Sequence, residues 1–111
     1  MNAQHIGWLG ELRAAAYLKR QGMRVIARRY RAAHGEIDLI ARDGDTLVFV
    51  EVKSRPRGRL DDGFRAVNAE KRRHVRAAAY QYLETHPFHG PVRFDAIEIC
   101  AAGLRHCKNA F

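Results

Sequence analysis

The segment "GEIDLIARDGDTLVFVEVKSR", residues 35 to 55, carries Glu36, Asp38, Glu51 and Lys53 among its apolar residues. Three carboxylates near one point repel each other, and burying them is costly unless a cation lies among them. Hard divalent ions such as Mg²⁺ bind carboxylate oxygens together with water and substrate phosphate. A bound ion can polarise a phosphoryl oxygen, and a nearby ammonium such as Lys53 can stabilise the charge that develops on phosphorus. These residue types predict a site for a divalent metal (Mg²⁺ or Mn²⁺) and a phosphodiester.

The spacing leaves open which face of the sheet carries the acids. Side chains alternate along a strand, so Glu51 and Lys53 point to one face and Val52 points to the other. Regular alternation predicts these two faces for the preceding strand: Glu36, Asp38 and Ile40 on one, and Ile37, Leu39 and Ala41 on the other. Asp38 and Glu51 lie at about the same height in the hairpin. Whether their side chains face the same side of the sheet depends on the strand register, which a single bulge would change.

A plainer alternative is a set of cross-strand salt bridges on a solvated face, each contributing little to stability. The run "LVFVEV" argues against this alternative because it is almost entirely apolar before the charges begin. Such a run is typical of a strand that is covered on both sides.

The hairpin needs supporting elements, and hydrophobic periodicity and turn residues predict them. Gly22 is well placed to end the first helix in a left-handed conformation. The predicted elements are a helix at about 5–21, strands at about 23–30, 35–42 and 46–54, a loop at 55–63, a helix at about 66–85 and a strand at 91–100. Asp43-Gly44-Asp45 is a strong hairpin signal between the second and third strands. The last segment, "LRHCKNAF", either pairs back as a weak strand or trails off.

This order, α-β-β-β-α-β with one further strand if the last segment pairs, predicts a mixed sheet with helices packed on it. That description fits an α/β or α+β layer fold. A chain of 111 residues is long enough for one domain and too short for two. We therefore expect a single domain over residues 1–111.

Charge and composition indicate the partner and the compartment. The net charge of +8 favours association with polyanions, above all nucleic acid. No apolar run approaches the roughly 20 residues needed to span a bilayer, and the start of the chain lacks the features of a signal peptide. Cys100 and Cys107 form no disulfide framework and have no zinc-ligand spacing. We expect a cytoplasmic protein without membrane association.

The hairpin resembles the Asp…Glu-x-Lys core of the PD-(D/E)xK nuclease superfamily, through "GEIDLIA" followed by "VFVEVKSR". Over nearly its full length the chain is similar to the YraN-like family of small bacterial proteins, which are candidate endonucleases resembling Holliday-junction resolvases. The similarity includes "GWLGELRAAAYLKRQG", "AVNAEKRRHVRAAAYQYL", "VRFDAI" and "NAF". It implies an α/β, restriction-endonuclease-like three-layer core in one PD-(D/E)xK nuclease-like domain, with a homodimer suggested by the resolvase-like relatives.

The resemblance also implies roles for individual residues. Asp38 and Glu51 would be metal ligands together with the backbone carbonyl of Val52, and Lys53 would be the catalytic lysine. Glu11 on the first helix would join the metal site directly or through water. The set of four catalytic residues would then be Glu11, Asp38, Glu51 and Lys53. One departure is Arg29, since relatives are expected often to carry asparagine near this position.

Basic residues flank the predicted site in two places. A loop run and one side of the second helix are the candidate nucleic-acid contacts: Arg55, Arg57, Arg59, Lys71, Arg72, Arg73 and Arg76. Either set is equally compatible with an ordinary solvated surface. Two functional hypotheses follow, a Mg²⁺-dependent endonuclease for DNA or branched DNA, and a nucleic-acid-binding module of the same fold with little turnover.

Overall fold

The described residues form one mixed sheet with a helix packed on each face. The computed structural model describes residues 3–55 and 69–111, with side chains from 9 to 54 and from 69 onward. The elements are α1 (Ala3–Arg20), β1 (Arg24–Ala32), β2 (Gly35–Asp43), β3 (Thr46–Arg55), α2 (Ala69–Thr85), β4 (Val92–Cys100) and β5 (Gly103–Cys107). Their order confirms the predicted α-β-β-β-α-β order, and the last segment, for which pairing and trailing off were both open, forms β5.

The strands lie in the order β1-β2-β3-β4-β5. β3 and β4 are parallel and the other neighbours are antiparallel. β1 extends two residues beyond its predicted end at residue 30, because it pairs with β2 as far as Ala32 opposite Gly35. The predicted start of the second helix and the loop after Arg55 lie outside the described residues, as do Arg57, Arg59 and the side chain of Arg55.

Each face of the sheet carries its own apolar cluster. On the α1 side, Ala14 and Leu18 belong to one cluster with Val48 and Val50 of β3. On the α2 side, the second cluster includes these buried residues: Ile37, Ile40, Leu47, Phe49, Val75, Ala78 and Tyr82. Both faces of β3 are therefore covered, which explains the unbroken apolar run before Glu51.

Local sequence signals determine the two chain reversals that frame the hairpin. Gly22 ends α1 with a φ of 88°, and the Met23 N–H donates to the carbonyl of Leu18. Gly44 has a φ of 59° in the turn that follows the last β2–β3 pair, Asp43 opposite Thr46. Both conformations are easily adopted by glycine, so both predictions are confirmed. Neither helix in the described part of the chain is long and apolar enough to cross a membrane.

Candidate metal and phosphodiester site

The site begins at an irregularity of β2 at Asp38. The paired register of β2 and β3 starts at Leu39 opposite Val50 and does not include Asp38. Ile37 packs in the α2-side cluster, whereas Leu39 packs in the α1-side cluster. Residues two apart on a regular strand share a face, so the predicted alternation over residues 36–41 is wrong at Ile37. The strand therefore changes its facing at Asp38, although its register with β1 continues unbroken from Arg28–Leu39 to Tyr30–Ile37.

The Asp38 carboxylate occupies the gap that opens between β2 and β3. Its Oδ2 accepts a hydrogen bond from the Val52 backbone N–H at 2.7 Å. This contact satisfies a donor that would otherwise pair with the β2 backbone. The N–H and C=O of one antiparallel strand residue point toward the same neighbour, so the Val52 carbonyl also faces β2. That orientation suits its predicted role as a ligand.

Glu51 reaches the same region from the α2 side of β3. Its side chain is 3% exposed, and its Oε1 lies 2.9 Å from the Lys71 Nζ of α2 and 3.9 Å from the Lys53 Nζ. Its other oxygen, Oε2, is buried and has no hydrogen-bond partner among the described residues. A buried carboxylate oxygen without a donor is costly and marks a place for a proton or a cation.

The two carboxyl groups interact with each other. Burial and, second, the Glu51 charge raise the pKa of Asp38 from 3.8 to about 7. The Val52 N–H and the Lys71 ammonium oppose this rise. A short-range interaction with the Glu51 side chain adds a smaller contribution to this rise, because it favours the protonated form of Asp38. Strongly raised carboxyl pKa values are common at functional sites.

Glu11 approaches Asp38 from the α1 side and is held by Arg29 of β1. The Arg29 Nε donates to Glu11 Oε2 at 2.6 Å. Burial raises the pKa of Glu11, the hydrogen bond from Arg29 lowers it, and the nearby Asp38 charge raises it. Arg29 has a φ of 53°, in the left-handed region that asparagine adopts more readily than arginine. This conformation gives a physical reason to expect asparagine at the corresponding position in relatives.

The structure brings some of the predicted residues together at one site and leaves others exposed on α2. Asp38, Glu51 and Lys53 lie together, and Lys71 belongs to this group because it pairs with Glu51. On α2, the remaining predicted nucleic-acid contacts are exposed: Arg72, Arg73 and Arg76. The guanidinium of Arg76 lies 5.9 Å from the Phe94 ring centroid. The nucleic-acid contacts on the loop after β3 fall outside the described residues.

The chemistry of the donors fits a hard divalent cation held by two carboxylates. Mg²⁺ usually takes one or two protein carboxylates and completes its shell with water and phosphate. Asp38, Glu51 and the Val52 carbonyl supply oxygen only, and Glu51 Oε2 is a buried oxygen without a partner. Within residues 3–55 and 69–111, no group of three or more His, Cys, Asp and Glu side chains is arranged to hold a metal. A third carboxylate ligand would require Glu11 to leave Arg29.

A buried ion-pair network on the α1 side was missed by the sequence reasoning. Asp95 of β4 is fully buried and accepts hydrogen bonds from the guanidinium of Arg93, from His106 Nε2 at 2.7 Å and from the Asn109 N–H. His106 Nδ1 in turn lies 3.1 Å from the Tyr17 hydroxyl of α1. Burial tends to raise the pKa of Asp95, but these hydrogen bonds lower it overall. The network fastens β5 and the C-terminal residues to the sheet.

Glu98 of β4 is the second acid that the sequence reasoning did not single out. It is fully buried and lies in register with Lys53 of β3 and with Arg105 of β5. This residue is not without an interaction partner. The available signal was an acid in the alternating strand "VRFDAIEIC", and this residue proves to be fully buried.

Comparison with known proteins identifies the family. The model of the Uncharacterised protein family UPF0102 matches residues 10–99. The chain belongs to the UPF0102 family. It is 45% identical over 108 residues to a UPF0102 protein of Rhodopseudomonas palustris (strain BisB18), covering 95% of this chain and 78% of that one. A UPF0102 protein of Nitrobacter winogradskyi is 45% identical over 112 residues, covering 98% and 93%. One from Shewanella amazonensis is 41% identical over 105 residues, covering 95% and 97%.

Family membership confirms the YraN-like resemblance at the level of the family. The region matched by the UPF0102 model contains all the residues of the site: Glu11, Arg29, Asp38, Glu51, Lys53 and Lys71.

Proposed function

We propose that this UPF0102 protein is a Mg²⁺- or Mn²⁺-dependent endonuclease that hydrolyses phosphodiester bonds of DNA, with branched or structured DNA as the first substrates to test. The observation that supports this most directly is the pair of buried carboxyls in the gap between β2 and β3. Glu51 has a buried oxygen without a hydrogen-bond partner, and Asp38 has a pKa raised to about 7. Such a pair is unfavourable in a purely structural role and is well suited to a cation.

Each residue of the proposed site has a separate task. Asp38 and Glu51 would hold the metal with the Val52 carbonyl, and a bound divalent ion supplies Lewis-acid polarisation of phosphate and a more acidic water. The Lys53 side chain is 30% exposed and lies on the same face as Glu51, so its ammonium can contact a phosphate oxygen. Lys71 holds Glu51 in place through its 2.9 Å ion pair. The proposed enzyme would therefore bind the metal, orient the phosphate and stabilise its developing charge with different side chains.

Catalysis can be tested with isosteric variants. Supercoiled plasmid and a synthetic four-way junction are incubated with Mg²⁺ or Mn²⁺ and the wild type, Asp38→Asn, Glu51→Gln or Lys53→Met. Asp45→Asn is the matched control, because Asp45 is an exposed acid in the hairpin turn of the same sheet. We expect cleavage to fall by about 10²-fold or more in the three site variants and to be unchanged in the control. Equal cleavage by the wild type and Glu51→Gln would contradict the proposal.

Metal binding is measured separately from turnover. Calorimetric titration with Mn²⁺ should give binding to the wild type and Lys53→Met and a clear loss of binding in Glu51→Gln. Retained metal binding with lost cleavage in Lys53→Met would separate the ligand role from the lysine role. A wild type that takes up no Mn²⁺ would exclude this metal site.

A second candidate function is a nucleic-acid-binding module with little turnover. One observation favours it, namely that Glu11 and Glu51 are already neutralised by Arg29 and Lys71. A binding module would retain affinity for DNA, falling steeply with added salt, while showing no metal-dependent cleavage of any substrate. Site acids would then be dispensable for binding, so Asp38→Asn and Glu51→Gln would bind DNA at least as well as the wild type.

A further inference from the structure

Arg29 combines three features that its neighbours on β1 do not share. It adopts a left-handed backbone conformation with φ 53° inside a strand. Its place in the register falls between the pairs Arg28–Leu39 and Tyr30–Ile37, which puts it opposite the irregular residue Asp38. Its guanidinium binds the buried carboxylate of Glu11 at 2.6 Å. A non-glycine residue in this unfavourable conformation persists where the surroundings hold it, and such residues are frequent at functional sites.

The Arg29 side chain also lines an open cleft. The cleft has a volume of about 370 Å³ and is lined by Glu11, Leu12, Arg28 and Arg29. The described hydrogen bond of the guanidinium uses its Nε, and the side chain remains 35% exposed. The terminal Nη groups therefore remain available for a bidentate contact with an anion that enters from the cleft. Guanidinium geometry matches phosphate oxygens in this way, and Arg28 adds a second positive charge to the same wall.

Glu11 has two competing cationic partners if the proposed metal binds. A divalent cation near Asp38 attracts the Glu11 carboxylate and repels the Arg29 guanidinium. A phosphodiester at the same metal attracts Arg29. The shift of Arg29 from the carboxylate to the phosphate would restore a favourable partner to each charge.

We propose that Arg29 is a phosphate-binding residue for the nucleic-acid substrate, held on Glu11 until a divalent cation takes its place there. This inference rests on the proposed function. The cleft beside Arg28 then accepts a phosphate of the bound strand next to the metal. Arg29 lowers metal affinity in the absence of substrate and raises substrate affinity in the presence of metal.

Removing Arg29 should strengthen metal binding and weaken substrate binding, so a single substitution tests both effects. Arg29→Asn suits the left-handed conformation and removes the guanidinium. Arg29→Lys keeps a positive charge without the planar donor fork. Arg31→Gln is the matched control, since Arg31 lies on the same strand and its nearest acid, Glu36, is 3.9 Å away and exposed. Mn²⁺ affinity is measured by calorimetry without nucleic acid, and four-way-junction affinity is measured in Ca²⁺ over a range of salt concentrations.

We expect Arg29→Asn to bind Mn²⁺ about 3- to 10-fold more tightly than the wild type and the junction about 5- to 10-fold more weakly. The slope of log affinity against log salt should decrease by about 1, as for one lost phosphate contact. Arg29→Lys should fall between the wild type and Arg29→Asn in both assays, and Arg31→Gln should change Mn²⁺ affinity less than twofold. Unchanged or weaker Mn²⁺ binding by Arg29→Asn would overturn the inference while leaving the proposed function intact. Absence of Mn²⁺ binding by the wild type would overturn both.

Discussion

Replacing Asp38 by asparagine should stabilise the folded chain at alkaline pH and much less at acidic pH. Asp38 is largely buried and adjacent to Glu51, and its pKa is raised from 3.8 to about 7, first by burial and then by the Glu51 charge. Ionised Asp38 is therefore unfavourable in the folded state. Asparagine has nearly the same shape, carries no charge and keeps an oxygen that can accept the hydrogen bond from the Val52 N–H.

The sign and size of the effect follow from proton linkage. Between pH 3.8 and about 7 the folded state holds a proton on Asp38 that the unfolded state has lost. Stability of the wild type therefore falls as pH rises through this window, by about 1.4 kcal/mol per pH unit. The full penalty above pH 7 is on the order of 4 kcal/mol, and at pH 5 it is about 1 to 2 kcal/mol. Asp38→Asn removes this dependence, so its advantage should grow by roughly 2 to 3 kcal/mol between pH 5 and pH 8.5.

The assay is urea unfolding of the wild type, Asp38→Asn and the exposed-acid control Asp45→Asn at pH 5 and pH 8.5. The control should follow the wild type at both pH values. Adding Mn²⁺ at pH 8.5 should stabilise the wild type and not Asp38→Asn, by about 2.7 kcal/mol when the ion is at 100 times its Kd. If the advantage of Asp38→Asn is equal at both pH values, or if the variant is less stable than the wild type at pH 8.5, then folding does not disfavour the ionised form of Asp38.

Three further predictions test the surroundings of the site. Gly10→Ala should lower the free energy of unfolding by about 1 to 3 kcal/mol, because the added Cβ would lie 2.8 Å from the Cβ of Ser54. In the same urea assay, the double variant Gly10→Ala with Ser54→Gly should recover part of this loss. Asp95→Asn should cost about 2 to 4 kcal/mol at pH 7. The pKa of Asp95 is lowered in the folded state, so its contribution is present above pH 3.8 and is lost as pH falls below that value; the difference should shrink in acid, and a constant difference would contradict this. Charge reversal at Arg72 and Arg73 should weaken DNA binding at least tenfold without changing Mn²⁺ affinity, and equal loss of both would mean that these exposed arginines also shape the metal site.

The order of elements was predictable because its signals are local. The hairpin turn required a left-handed residue, which Gly44 supplies, and Gly22 supplies the same conformation at the end of α1. Alternating or continuous apolar runs marked the strands, and β5 formed even though its segment was short and weakly patterned. Each of these features depends on residues within a few positions of one another.

The facing of the acids was not predictable, because it depends on one irregular residue. The strand changes its facing at Asp38, so Ile37 packs on the opposite side of the sheet from Leu39. The partners of the acids were equally hidden, since Arg29 is 18 residues from Glu11, and Lys71 reaches Glu51 from another element. Charge pairs of this kind are set by tertiary packing, and no sequence spacing encodes them.

The three acids of the site are compensated in three different ways, and this difference bears on how the site takes up a cation. Glu11 is paired with a guanidinium, Asp38 favours a proton near neutral pH, and Glu51 has one oxygen on Lys71 and one without a partner. A divalent ion placed between Asp38 and Glu51 could therefore bind Glu51 Oε2 directly, because this oxygen has no partner among the described residues. The Asp38 carboxyl would first have to lose its proton. Metal uptake would release that proton below about pH 7. The cation affinity and the raised pKa of Asp38 would then have the same cause, which is the unfavourable burial of negative charge. A structural salt-bridge cluster has no need of this arrangement, because it would pair both Glu51 oxygens and leave Asp38 ionised.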